Sequence, residues 1–173
     1  MSQILKARIT WLEMTERRYQ IVPPPLGMRM ALMQAENMPV HFYRYLYEQI
    51  GKKHHWQARR SLSDDELSAL LQSENTFIHV LYIGGCPAGI AEINFSNIQE
   101  FAQIEYFGIV PEYQGLGLAR FFFYETLNVA WEKEPKKIKI QTNNYDNPRA
   151  LQIYQSAGFS PVAFSEEEIT AWE

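Results

Sequence analysis

The segment best suited to chemistry runs Glu105-Tyr-Phe-Gly-Ile-Val-Pro-Glu-Tyr-Gln-Gly-Leu-Gly-Leu-Ala-Arg120. An apolar run with strand character ends at Pro111. Gly115 and Gly117 follow, and apolar residues then recur at helical spacing at Phe123, Tyr124, Leu127, Ala130 and Trp131. A strand feeding a helix through glycines is a place to hold phosphate, because the first helical amides have no internal partner and the helix dipole adds partial positive charge there. Lacking a Cβ, Gly115 and Gly117 let an anion approach the backbone closely. Two common phosphate motifs are excluded. No Lys-Ser or Lys-Thr follows the glycines, as a P-loop requires, and Arg120 stands where the last glycine of a dinucleotide fingerprint belongs.

Composition bounds what such a site can serve. A chain of 173 residues, 46% hydrophobic and 21% charged, is expected to form one globular domain over residues 1–173. Its net charge of −4 provides no bulk field for nucleic acid or an acidic membrane, so an anionic ligand must be held by local donors. The single cysteine, Cys86, cannot form an internal disulfide, which suits the reducing cytosol. Placed between the Gly84-Gly85 turn and Pro87, it reads as a small buried apolar residue and not as a nucleophile. There is no signal-peptide pattern and no apolar run approaching about 18 residues, so the expectation is a soluble, cytoplasmic protein without a membrane partner.

The elements that must position the glycine segment can be read from periodicity. Residues 7–14 carry β-formers, Pro23-Pro24-Pro25 stiffens a connector, and residues 28–34 alternate as a first core strand. Pro39 suits a helix start, with Phe42, Tyr45, Leu46 and Gln49 or Ile50 at helical spacing until Gly51. Ser63 and Glu66 form a capping box ahead of Leu67, Leu70 and Leu71. Strands are predicted over residues 76–83 and 87–95, joined through Gly84-Gly85 as a hairpin, and over 101–110. A helix over about 115–133 and a strand over 137–142 follow. The last elements are a helix from about Ala150 to Gly158 and a strand over 159–164 before an acidic tail. This mixed order gives an α+β fold with one sheet and helices on its faces.

Two stretches carry a family resemblance. Gln114 to Ala119 fits Gln/Arg-x-x-Gly-x-Gly/Ala behind the lead-in Ile109-Val110-Pro111, and Asn147 to Phe159 fits Asn-x-x-Ala-x-x-x-Tyr-x-x-x-Gly-Phe. Together, in this order, they resemble the GNAT superfamily of acyl-CoA-dependent N-acyltransferases. The likeness is specific over about residues 100–160 and architectural over 28–95. It assigns no role to an N-terminal extension of about 25 residues. It implies a central, mostly antiparallel sheet flanked by helices on both faces. The activity it implies is transfer of an acetyl group from acetyl-CoA to a primary amine of a small molecule or peptide, by direct attack and with no metal. The alternative is a non-catalytic acyl-CoA-binding sensor or interaction module of the same fold.

The resemblance also distributes roles. Gln114 and the amides of Gly115, Leu116, Gly117, Leu118, Ala119 and Arg120 surround the pyrophosphate, while Phe107, Gly108 and Ile109 lie along the acyl and pantetheine arm, where a backbone amide stabilises the oxyanion. Asn147 meets pantetheine or phosphate, and Tyr154 protonates the departing thiolate. Read from the residues alone, Asn147 is equally a helix N-cap and Tyr154 an amphipathic core tyrosine. An alkylamine of pKa about 10 is about one part in a thousand neutral at pH 7, so a base is needed. Glu105 is the candidate, directly or through a water, and period-two alternation gives it the face of Gln103, Phe107 and Ile109. The other reading of Glu105 is a solvated strand carboxylate, and Glu92 is the substitute base. The acid some family members carry on the following strand is absent from Gln141-Thr142-Asn143.

The acceptor is expected over the first helices. There Tyr43 and Tyr47 either line a cleft or form a packed helix face, and His54 and His55 read as loop residues, not metal ligands. The C-terminus is short for the closing pair of strands usual in the family. The N-terminal strand fills that edge, or a second subunit does in a homodimer.

Overall fold

Thr76–Ile83 and Cys86–Asn94 each bury apolar side chains and pair as a hairpin. Gly84 and Gly85 close its turn at φ 58° and 85°, a left-handed region that glycine enters without steric cost. The remaining elements assemble around this hairpin. A computed structural model describes residues 2–173. In chain order these residues form β1 (Ile4–Met14), β2 (Met30–Gln34), α1 (Val40–Gly51), α2 (Asp64–Leu71), β3 (Thr76–Ile83), β4 (Cys86–Asn94), β5 (Ala102–Ile109), α3 (Leu118–Glu132), β6 (Ile138–Asn143), α4 (Pro148–Ala157) and β7 (Ser160–Thr170).

The strands make one seven-stranded sheet in the order β2-β3-β4-β5-β6-β1-β7. Every neighbouring pair is antiparallel except β5–β6. On one face α1 and α2 bury Tyr43, Leu46, Ile50 and Leu67 against Ile78, Val80 and Ile90. On the other, α3 and α4 bury Phe123, Leu127 and Tyr154 against Leu12, Ile93, Ile104 and Ile140. The expected α+β architecture, mostly antiparallel with helices on both faces, is therefore present. The Ser63 capping box opens α2 as read: Glu66 N donates to Ser63 Oγ at 3.2 Å and Ser63 N to Glu66 Oε2 at 2.8 Å. No helix of the described residues is long and apolar enough to cross a membrane.

The N-terminal residues are part of the sheet. β1 inserts between β6 and β7, antiparallel to both, so the expectation that the N-terminal strand fills the sheet edge is corrected: it is an interior strand and β7 forms that edge. β7 runs on through the segment expected to be an acidic tail, because Glu166 and Glu168 stand opposite Arg8 and Lys6.

Three smaller expectations are corrected. The buried face of α1 is Tyr43, Leu46, Tyr47 and Ile50, with Tyr45 exposed, because the helix turns its neighbouring stripe onto the sheet. Cys86 is exposed at the open hairpin end and not buried. α3 starts at Leu118, since φ of 77° at both Gly115 and Gly117 is incompatible with helix.

Candidate active site

β5 and β6 pair only from Ala102 to Ile104 against Ile138 to Ile140. Beyond that point β5 is bonded on one side alone. The gap between it and the end of β6 is a cleft of about 510 Å³, lined at its centre by Phe107, Gly108, Ile109, Gln141, Thr142 and Asn143. Val110 N donates to Ala88 O at 2.8 Å, so by antiparallel alternation Gly108 also bonds to β4 while the amides of Phe107 and Ile109 point into the gap. Gln114 Nε2 donates to Ile109 O at 3.0 Å, which confirms that orientation and ties the following loop to the strand.

At one end of the cleft is the glycine segment. Gly115, Gly117, Leu118, Ala119 and Arg120 line it. Among the described residues, none of the amides of residues 115–120 donates a hydrogen bond to another group of the chain. No side chain caps α3, and Gly117 takes the N-cap position. The Leu116 side chain is exposed and outside the cleft lining, and the role expected of this residue is that of its amide. A Cβ on Gly117 would have Pro25 Cγ 3.7 Å away, which is ordinary contact, so backbone conformation and not crowding selects glycine there. Asn147 lines the same end and is also the N-cap of α4, its Oδ1 accepting from Arg149 N at 3.0 Å. The two readings of Asn147 are thus compatible.

Tyr154 forms part of the cleft wall on the α3/α4 face, its ring packed at a tilt of 38° against Phe123 with centroids 4.8 Å apart. Its hydroxyl makes no hydrogen bond among the described residues. Burial first, and the nearby Asp146 carboxylate second, push the phenol up and keep it protonated. Asp146 was not foreseen. It accepts from Thr142 Oγ1 at 2.7 Å and from Asn143 N at 3.0 Å, and so sets the turn from which α4 and Tyr154 spring. Its position directly before the Asn-Pro helix start was the available signal.

Glu105 shares a face with Gln103, as alternation predicts, but not with Phe107 and Ile109. Glu92 faces Tyr106 and Ile93 faces Ile104, so Glu105 is the extra residue of a β-bulge. The bulge reverses the side-chain phase: Phe107 and Ile109 pack toward α3, whereas Glu105 sides with Gln103 and Tyr106 toward α1. Glu105 Oε1 accepts from Asn94 Nδ2 at 3.2 Å. Burial raises its carboxyl above the ordinary carboxylate range, and Asn94 and Arg59 oppose that rise. Tyr154 and Glu105 therefore border one cleft from opposite faces of the sheet.

Glu92, the substitute base, is buried and fully engaged. It accepts from Tyr43 Oη at 2.5 Å and pairs with Arg59 at 2.6 Å. Burial disfavours the Arg59 cation, but Glu92 outweighs it and holds the guanidinium charged. Tyr43 and Tyr47 belong to this packed helix face and not to the cleft lining. Burial and Glu92 push the Tyr43 phenol up, and burial and Tyr106 push Tyr47 up.

The loop after α1 roofs the other end of the cleft with His54, His55, Trp56 and Gln57. His54 Nδ1 lies 2.9 Å from Tyr145 O, and Trp172 Nε1 donates to Trp56 O at 2.7 Å. The sequence carries no local signal for these long-range ties.

The comparisons with known proteins bear on the family and the fold. The model of the Acetyltransferase (GNAT) family matches residues 36–159. The chain belongs to this family. It is accordingly an enzyme of the acyltransferase class. No curated protein matches the sequence. Among solved structures, the chain is similar to a conserved protein of unknown function from Staphylococcus epidermidis (TM-score 0.61, 12% identity), covering 96% of this chain and 62% of that one. The aminoglycoside acetyltransferase AAC(6')-Iy, in complex with a CoA-containing bisubstrate analogue, aligns at TM-score 0.58 and 16% identity over 76% of this chain and 91% of that one. The spermidine/spermine N-acetyltransferase SpeG from Vibrio cholerae aligns at 0.59 and 20% over 76% and 80%. At these identities the likeness is one of fold, and the chain spans less than two thirds of the Staphylococcus protein.

Proposed function

We propose that this GNAT-family enzyme transfers an acetyl group from acetyl-CoA to a primary amine by direct attack. The observation that carries the reading is the row of undonated amides from Gly115 to Arg120 at the mouth of the cleft. Six free donors at a helix start, with positive φ at Gly115 and Gly117, fit a diphosphate. The relatives that act on aminoglycosides and on spermidine or spermine support an amine as acceptor.

Acetyl-CoA supplies the activated acyl group and a thiolate leaving group. In this chain, an amide of Phe107 or Ile109 donates to the carbonyl oxygen as negative charge develops there. Glu105, from the α1 face, takes the proton that the amine loses as its nitrogen bonds to the acyl carbon. Tyr154, from the α4 face, gives its phenolic proton to sulfur as the carbon–sulfur bond breaks, and regains one from solvent. Placing base and acid on opposite faces keeps the two proton transfers from short-circuiting one another.

The test is release of free thiol from acetyl-CoA across a panel of primary amines. Thiol release that requires an amine and yields the N-acetyl product is expected. Tight CoA binding with no turnover on any amine would favour an acyl-CoA-binding module instead.

A further inference from the structure

We propose that Asn94 is a positioning residue for this reaction, holding the Glu105 carboxylate in place through one oxygen so that the other is free to accept the amine's proton; the inference rests on Glu105 being the base. Asn94 is near the end of β4, on the face toward α1 to which the bulge brings Glu105. Its own amide has only one orientation that fits its neighbours. Oδ1 accepts from Ser96 N at 2.8 Å, so Nδ2 is directed at Glu105 Oε1, 3.2 Å away. An amide anchored through its oxygen presents a donor and cannot flip to present an acceptor.

The geometry has two consequences. The Asn94 bond fixes Oε1, so that Oε2, which has only a 3.5 Å contact with Gln103 Nε2, is the oxygen left for the cleft. A donor aimed at the charged form also favours that form, against the burial that disfavours it. The other ionisable groups around Glu105 are Arg59 from the loop after α1, Glu92 on β4 and Tyr106 on β5, with His54, His55, Asp146 and Glu167 lining the same cleft. All of them are retained when Asn94 alone is changed.

The test is a pH titration of the full chain labelled with carbon-13 at the glutamate side-chain carboxyl, followed by NMR. The Glu105 signal is the one missing from Glu105→Gln. In Asn94→Ala its midpoint is expected to rise by about one pH unit, the scale on which hydrogen bonds to a carboxylate act. A midpoint equal to that of the unmodified protein overturns the proposal. Should Asn94→Ala fail to bind CoA and so be judged unfolded, the isosteric Asn94→Asp retains the Ser96 bond and replaces the donor by an acceptor. Its expected rise is larger, and an unmoved or lowered midpoint overturns the proposal. Thiol release by Glu105→Gln addresses the base separately: unchanged turnover there defeats the reading of Glu105 itself, whatever Asn94 does to its titration.

Discussion

Glu105 and Tyr106, consecutive on β5, turn their side chains to the same face of the sheet. The bulge opposite Glu92 and Ile93 produces this, and it separates Glu105 from Phe107 and from Tyr154 by the thickness of the strand. In the proposed reaction the base then acts on the thioester carbon's attacking amine from one face and the acid on its leaving sulfur from the other.

Because burial raises the Glu105 carboxyl, the acidic limb of kcat/KM against pH is expected above the ordinary carboxylate range, with activity lost as pH falls through it. The stability effect has the opposite sense to that of a salt-bridged carboxylate. A folded pKa above the unfolded one stabilises the fold at low pH, and that stabilisation is lost as pH rises through the folded value. Glu105→Gln should therefore raise the thermal midpoint at neutral pH relative to the unmodified protein, with the difference closing below the ordinary carboxylate range. A lower midpoint for Glu105→Gln at neutral pH would contradict the burial of an unpaired charge.

Tyr154→Phe keeps the ring that packs against Phe123 and removes only the hydroxyl. A positioned general acid contributes about 10²–10⁴ in rate, so kcat is expected to fall on that scale while the CoA dissociation constant stays within about twofold. Calorimetric titration with CoA beside the kinetics checks this. Parallel loss of both would assign the tyrosine to packing.

Arg59 and Glu92 form a buried ion pair at 2.6 Å, and Arg59 N also donates to Tyr47 Oη at 3.3 Å. Removing one partner leaves a buried charge without compensation, at a cost of about 3–5 kcal/mol. Arg59→Ala should accordingly lower the denaturant midpoint sharply, whereas changing both residues together to apolar ones of similar volume should cost much less. Equal losses in the single and double variants would mean that the pair contributes nothing beyond its volume.

Gly117→Asp places a side chain and a negative charge at the amide row, on a backbone whose φ of 77° resists any Cβ. CoA binding is expected to be lost, while Gly117→Ala, uncharged and in ordinary contact with Pro25, should fold and weaken binding less. Retained affinity in the aspartate variant would place the diphosphate elsewhere.

Local chemistry was legible in the sequence and long-range register was not. The glycine segment, the Ser63 capping box, the Gly84-Gly85 hairpin and the Asn147 cap each depend on residues within a few positions of one another. The face of Glu105 relative to Phe107 depends on a bulge, which a period-two count has no means to register. The engagement of Glu92 depends on Arg59 and Tyr43, each more than 30 positions away in the chain. The place of β1 depends on pairing with β6 and β7, both more than 100 positions away in the chain, and a run of β-formers carries no such information.

The most direct measurement is a ¹H–¹⁵N correlation spectrum of the assigned protein titrated with CoA and, separately, with pantetheine, which lacks the diphosphate. The amides of Gly115 to Arg120 should show the largest downfield shifts with CoA and almost none with pantetheine, while those of Phe107 and Ile109 respond to both. Amides 115–120 unmoved by saturating CoA, with the shifts clustered elsewhere, would contradict the account.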